Sequence, residues 1–145
     1  MPIDSCVYVR YTGNRPTAAT AGSAGHDLTY NLPETIQINP GDWKLISTGL
    51  SLEIPTGHAG LVMPRSGLAL RNGITVLNSP GLIDSDYRGD IGVILHNISK
   101  TPFVVLPGMR IAQLVVIAVP DLVLVAGGNL SDTVRGVGGF GSTGH

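Results

Sequence analysis

Residues 43–63 read WKLISTGLSLEIPTGHAGLVM. Three short apolar segments occur in this stretch, at Trp43–Ser47, Leu50–Ile54 and Ala59–Met63, and the turn signal Pro55-Thr56-Gly57 separates the last two. The segments are rich in leucine, isoleucine and valine, which favour β-strands. We therefore predict a run of short strands joined by turns.

The same pattern continues through most of the chain. Twenty Gly and ten Pro residues cut it into short apolar segments, which is typical of a sandwich or barrel. The further predicted strands are Val7–Tyr11, Asp27–Asn31, Thr35–Asn39, Thr75–Asn78, Ile91–Asn97, Phe103–Leu106, Ile111–Val116 and Leu122–Ala126. Gly67–Arg71 is the best candidate for a short helix. We predict one all-β domain, with a β-rich core at residues 1–126 and a Gly-rich mobile arm at residues 127–145.

The composition indicates burial of surface in an oligomer. Of the 145 residues, 43% are hydrophobic and only 13% are charged, against about 25% charged in a typical domain. Interfaces between subunits account for such a surplus of apolar residues. The net charge of −1 argues against a broad polyanion-binding face, so we expect no stable nucleic-acid binding. The apolar stretch Ile111–Val119 is too short to span a membrane.

Cysteine and histidine usage gives no sign of a disulfide or a metal cluster. Cys6 is the single cysteine and cannot form an internal disulfide. The four histidines, His26, His58, His96 and His145, lie far apart and have no ligand spacing. Residues 1–11 lack the regions of a secretory signal, so we expect a cytoplasmic or comparable reducing location.

Three acidic residues, Asp84, Asp86 and Asp90, fall within seven positions of a charge-poor sequence. The segment from Gly81 to Gly89 is interpreted as a hairpin between two apolar strands. A solvated turn explains these carboxylates without any function, because Asp favours turns. A carboxylate that orients and deprotonates water is the functional interpretation. The spacing alone does not decide between the two.

Arg65, Ser66 and Gly67 follow an apolar strand. A guanidinium, a hydroxyl and a backbone N–H freed by glycine can form a small anion site, although a strand-ending turn is the simpler reading. No Walker-type loop is present, which excludes a P-loop NTPase. Gln113, within an apolar strand, either bonds neighbouring backbone or donates its amide to a phosphate.

The segment from Arg135 to Gly144 is the most informative part of the chain. Five glycines between positions 136 and 144 allow close approach of backbone to a ligand. Arg135 supplies a charged clamp, and Phe140 a flat face for a base, where stacking contributes roughly 1–3 kcal/mol. Ser142 and Thr143, with the N–H groups around Gly141, can hold phosphate oxygens. This pattern indicates a lid that orders on a nucleotide.

Taken in order, five segments resemble the five motifs of the trimeric dUTPase family. They are Ala24–Leu28, Pro64–Ala69, Gly81–Gly89, Arg110–Leu114 and Arg135–Gly144. Any one of them could occur by chance, but five in this order and spacing are specific. The resemblance implies a jelly-roll-like dUTPase fold (β-clip), a homotrimer, and three sites that each draw motifs from all three chains.

The resemblance also implies a mechanism. Asp84 would act as general base for the water that attacks the α-phosphorus of dUTP, releasing pyrophosphate and dUMP. Mg²⁺ would be held mainly by the triphosphate and water, with Asp27 accepting from metal-bound water, which fits the preference of Mg²⁺ for retaining waters.

The remaining family roles concern substrate binding. Arg65, Ser66, Gly67 and Gln113 would contact the phosphates, and Arg135, Gly141, Ser142 and Thr143 would close over the γ-phosphate end. Asn78, Leu82, Ile83 and Gly92 would read the uracil edge, Phe140 would stack on the base, and Tyr87 would pack on the deoxyribose and exclude a 2′-hydroxyl.

Two positions depart from the family pattern, and two rival functions compete with this one. His26 stands where an aromatic or apolar residue is common, and Met109 where an acidic one often precedes Arg110; neither position is catalytic. A dCTP deaminase would need a glutamate in a different motif context. A non-catalytic nucleotide- or protein-binding jelly-roll regulator could lose Asp84, Arg135 and Phe140, yet all three are present.

Overall fold

The computed structural model describes residues 6–142. Within that range the chain forms strands and one short helix. The elements are β1 (Arg10–Gly13), β2 (His26–Tyr30), β3 (Ile36–Ile38), β4 (Trp43–Ser47), β5 (Leu50–Glu53), β6 (His58–Met63), α1 (Ser66–Asn72), β7 (Ile74–Val76), β8 (Gly81–Ile83), β9 (Gly92–Asn97), β10 (Phe103–Val105) and β11 (Met109–Ala118). No helix among these residues has the length and apolar character to span a lipid bilayer.

The strands pair antiparallel into two sheets and two ribbons. One sheet has the order β2-β11-β6-β8 and the other the order β4-β9-β7, while β1 pairs with β5 and β3 with β10. None of the paired strands in the described residues are consecutive in the chain, so the connections cross between layers, as in Greek-key folds. The predicted all-β jelly-roll class is confirmed.

The core lies between the sheets and follows the alternation of their strands. In β9, for example, Val93, Leu95 and Asn97 are buried while the residues between them are partly exposed. Burying each large aliphatic side chain contributes about 1.5–3 kcal/mol. The one amide in this row is fully satisfied, since Asn97 Nδ2 donates to the carbonyls of Ile38 at 2.9 Å and Thr101 at 2.8 Å.

Several predicted boundaries needed correction. The strand placed at Val7–Tyr11 begins later, at Arg10, where β5 offers a partner edge. The strand β8 was missed, because its three residues precede a loop rich in turn formers. The predicted short helix is confirmed as α1, which ends where Gly73 adopts a left-handed φ of 62°.

The strand predicted at Leu122–Ala126 was wrong within this protomer. These residues have no regular structure, and Leu122 through Val125 are at least 80% exposed. Apolar and β-branched residues form a strand only where a neighbouring edge satisfies their backbone groups. The described part of the protomer provides no such edge for this segment.

Candidate functional site

A polar depression of about 400 Å³ lies where β2, β11 and the start of α1 meet. Its lining includes Asp27, Arg65, Ser66, Gly67, Arg110 and Gln113. The structure thus brings together five of the residues predicted from sequence. It adds Arg110, which lay in a recognised motif but had been given no role.

The carboxylate of Asp27 is held between two arginines. Arg65 Nε donates to Oδ1 at 3.0 Å, and Arg110 Nη1 donates to Oδ2 at 3.1 Å. The Asp27 side chain is only 12% exposed, so these charge-assisted bonds are partly shielded from water. Two guanidinium groups against one carboxylate leave an excess positive charge, which suits the depression to an anion such as phosphate.

A β-bulge in β11 directs two of these side chains to the same face. Arg110 pairs with Thr29 and Ala112 with Leu28, so Ile111 is the extra residue. In a regular strand, positions 110 and 113 would point to opposite faces. The bulge shifts the alternation by one residue, so Ile111 and Ala112 are both buried while Arg110 and Gln113 both reach the depression.

Gln113 occupies the centre of this sheet. It pairs with Asp27 on one side and Met63 on the other, and its Nε2 donates to the carbonyl of Pro64 at 3.0 Å. Gly25 leaves room for the amide: a methyl group there would overlap Gln113 Oε1 and lie 3.0 Å from Cδ. The absence of a side chain at Gly25 therefore allows the Gln113 amide to lie where it does.

A second, more apolar depression of about 420 Å³ lies between β8, β9 and β4. It is lined by Leu45, Asn78, Leu82, Ile83, Asp84, Tyr87, Asp90, Gly92 and Ile94. Gly92 is closely covered by Leu45, since a methyl group at position 92 would lie 2.6 Å from Leu45 Cδ1. Asp84 stands at the end of β8, exposed to solvent at the edge of this depression.

The loop after β8 is braced by its own residues. The Tyr87 backbone N–H donates to the Asp84 carbonyl at 3.2 Å. Arg88 Nη1 donates to the carbonyls of Ser85 at 2.7 Å and Tyr87 at 3.0 Å. The Tyr87 hydroxyl donates to the Asp90 carbonyl at 3.0 Å. These bonds hold the loop that follows Asp84, and the first of them holds the Asp84 backbone itself.

The arm residues reach neither depression in the described structure. Arg135 Nε donates to Gly138 O at 2.9 Å, and the Ser142 N–H donates to Gly139 O at 3.1 Å, so both bonds stay within the arm. Phe140 is fully exposed and has a positive φ of 51°. Gly141 is also exposed, and Thr143 lies outside the described residues.

The predicted site residues therefore divide into three groups within one protomer. The polar and apolar depressions share no lining residue, and the arm touches neither. Sequence reasoning missed Leu45 and Ile94, which line the apolar depression. They carried no signal of their own, because an exposed leucine or isoleucine on a strand is common.

Comparison with solved structures supports the fold class. The dUTPase of Staphylococcus bacteriophage 80alpha with dUpNHpp superposes with a TM-score of 0.86, over 95% of this chain and 99% of that one, at 23% identity. A mutant dUTPase from phage phi11 of S. aureus, solved with a structural Mg(II) ion, gives a TM-score of 0.76 at 19% identity, over 84% of this chain and 97% of that one. The chain therefore has the all-β fold of these two solved proteins.

Sequence comparison identifies the family. The dUTPase family model matches residues 12–144. The deoxyuridine 5'-triphosphate nucleotidohydrolase of Beijerinckia indica is 54% identical over 132 residues, which is 90% of this chain and 82% of the relative. The enzyme of the same name from Chlamydia pneumoniae is 53% identical, over 91% of this chain and 92% of the relative. This chain belongs to the dUTPase family and is a dUTP diphosphatase.

We expect Gly25→Ala to weaken nucleotide binding by displacing the Gln113 amide. We expect that amide to donate to a phosphate oxygen of the nucleotide, and loss of one hydrogen bond to a charged group raises the dissociation constant roughly tenfold or more. Calorimetric titration with the analogue dUpNHpp measures this. Gly22→Ala is the matched control, because a methyl group there meets nothing within 4 Å. Equal affinity of a folded G25A protein and wild type would show that the amide's position is unimportant.

Proposed function

We propose that the chain converts dUTP to dUMP and pyrophosphate, with Mg²⁺, at sites shared between the subunits of a homotrimer. One observation carries this proposal: the family's motif residues occupy two separate depressions and an exposed arm within one protomer. These parts do not meet within the described chain, and neighbouring chains that each supply one of them would bring them into a single site. The reaction would keep uracil out of DNA and supply dUMP for dTMP synthesis.

In this proposal the polar depression binds the triphosphate. Arg65 and Gln113 donate to phosphate oxygens from side chains, and Ser66 and Gly67 donate from the first residues after the strand. The excess positive charge of the Asp27 cluster favours the same ligand. Arg65 would exchange its Asp27 oxygen for a phosphate oxygen when dUTP binds, at little electrostatic cost, because both acceptors are anionic.

The residues present fit a magnesium ion that arrives with its nucleotide. The described residues contain no group of three His, Cys, Asp or Glu side chains able to cage a metal. Asp27 is the one carboxylate in the polar depression, so it would hold the ion through bound water once its arginines turn to phosphate. When bound, Mg²⁺ would neutralise phosphate charge and stabilise the leaving pyrophosphate.

The apolar depression would bind the deoxyuridine. Asn78 and the backbone at Leu82, Ile83 and Gly92 read the uracil edge, whose donor and acceptor order differs from that of cytosine. A buried mismatch of such groups gives strong rejection. Tyr87 packs against the deoxyribose and leaves no room for a 2′-hydroxyl.

Asp84 would act as the general base, because it stands at the edge of the base site, facing solvent. Its carboxylate accepts a proton from water as the water oxygen bonds to the α-phosphorus. The bond from that phosphorus to the bridging oxygen breaks, and pyrophosphate leaves with the electron pair.

The arm, residues 127–145, would close the site over the nucleotide, while residues 1–126 form the core. Phe140 stacks on uracil, and Arg135, Gly141, Ser142 and Thr143 bind the γ-phosphate end. Among its described residues, up to Ser142, the arm's own hydrogen bonds are few and exposed, so exchanging them for ligand contacts costs little.

Exposed apolar surface on the protomer supports the proposed homotrimer. Leu122 to Val125 form four consecutive apolar side chains that are 80–85% exposed, an arrangement that monomers avoid. Together with the 13% of charged residues, this favours an obligate assembly. We place the protein in the cytoplasm. No observation favours the non-catalytic regulator.

The proposed reaction predicts a specific pattern of pyrophosphate release. With Mg²⁺, dUTP should be cleaved with a kcat/KM at least about a hundredfold above that for dCTP, dTTP or UTP, because each differs at a group the site reads or excludes. Removing Mg²⁺ with a chelator should abolish most turnover. Equal rates on all four nucleotides would contradict the assignment of the apolar depression.

Replacing Asp84 with Asn should abolish most catalysis while retaining binding. The amide keeps the size of the carboxylate but accepts no proton, so kcat should fall roughly 10²–10⁴-fold. Affinity for dUpNHpp should stay close to that of wild type. Asp86→Asn, in the same loop, is the matched control and should retain activity. If D84N turns over dUTP like wild type, Asp84 is not the base.

A further inference from the structure

The glycine two residues after Tyr87 has no role in the proposed function, yet the tyrosine ring lies directly against it. A methyl group on Gly89 would overlap the Tyr87 hydroxyl oxygen and lie 2.6 Å from Cζ and 3.0 Å from Cε2. The ring can therefore lie here only because Gly89 has no side chain, since a Cβ at this position would occupy the same space.

The backbone conformation does not explain this glycine. Gly89 does not have a positive φ, in contrast to Gly13, Gly41 and Gly73. An alanine could adopt its φ without strain. The contact with the ring is the remaining reason for a glycine at this position.

Tyr87 is held by hydrogen bonds at both its backbone and its hydroxyl. Its backbone N–H donates to the Asp84 carbonyl at 3.2 Å, and its hydroxyl donates to the Asp90 carbonyl at 3.0 Å. Tyr87 is 44% exposed and lines the apolar depression. Gly89 beneath the ring and Asp90 at its tip thus set how far the ring reaches into that depression.

We propose that Gly89 is a positioning residue that sets selectivity for deoxyribose over ribose by seating the Tyr87 ring. This inference rests on the proposed role of Tyr87 against the sugar. A side chain at position 89 moves the ring, because the side-chain torsions of Tyr87, held at the hydroxyl by one exposed hydrogen bond, yield more easily than the braced backbone of the loop. The displaced ring no longer occupies the space of a 2′-hydroxyl.

The test compares kcat/KM for dUTP and UTP in wild type, G89A, Y87F and the double variant. G89A should lower the dUTP/UTP ratio by about tenfold or more. The change should appear mainly as a lower KM for UTP, with kcat little altered, because the substitution does not move Asp84. Y87F, which loses the bond to Asp90, should shift the ratio in the same direction. Adding G89A to Y87F should change it less than G89A does alone, because both act on one ring. Gly22→Ala should leave the ratio unchanged.

A second measurement reads the ring directly. The chain has four tyrosines, and Y87F assigns the Tyr87 signal in NMR spectra of protein with ¹³C-labelled tyrosine. G89A should shift that signal, and Gly22→Ala should not.

An unchanged dUTP/UTP ratio in folded G89A would overturn the proposal, whether or not the ring signal moves. If G89A fails to fold, Y87F decides, and an unchanged ratio there overturns it. A wild type with no preference for dUTP over UTP would refute the proposed function of Tyr87 instead, and the ring signal would still show whether Gly89 positions it.

Discussion

One extra residue in β11 determines the geometry of the phosphate-binding face. The bulge at Ile111 turns both Ile111 and Ala112 into the core, so Arg110 and Gln113 emerge on the same side of the sheet. The pairing of Gln113 with Asp27 then places the carboxylate beside the amide and between two arginines. A slip of one residue in this register would reverse every side chain in β11 and dismantle the cluster.

The rest of the proposed chemistry depends on parts that the described protomer holds apart. The loop that follows Asp84 is braced by its own hydrogen bonds, and Asp27 is held between Arg65 and Arg110. These two groups lie in different depressions. The protomer's arm is bonded only to itself in the described residues, beyond an apolar segment without a partner strand. An assembly that covers the segment and delivers the arm would complete the site and bury the surplus apolar surface together. Folding, assembly and catalysis would then depend on the same contacts.

Much of this could be predicted from sequence, and the remainder is non-local. Trp43–Ser47 was predicted with its observed bounds because local apolar residues and turns define it. Asp27, Arg65 and Gln113 were assigned together only through the motif resemblance, and the structure brings them together. The bulge, the bond from Arg110 to Asp27 and the cover of Gly92 by Leu45 depend on strand pairing between distant segments. The fit of Tyr87 over Gly89 is local, but it depends on a rotamer that the sequence does not specify.

Mixing two inactive variants tests the shared site most directly. D84N supplies an intact arm, and a protein lacking residues 135–145 supplies an intact Asp84; each alone should be nearly inactive. If the two parts come from different chains of a trimer, refolding the variants together at equal amounts should restore about a quarter of wild-type activity by random assortment. A mixture as inactive as its components, in trimers shown to contain both chains, would contradict the account.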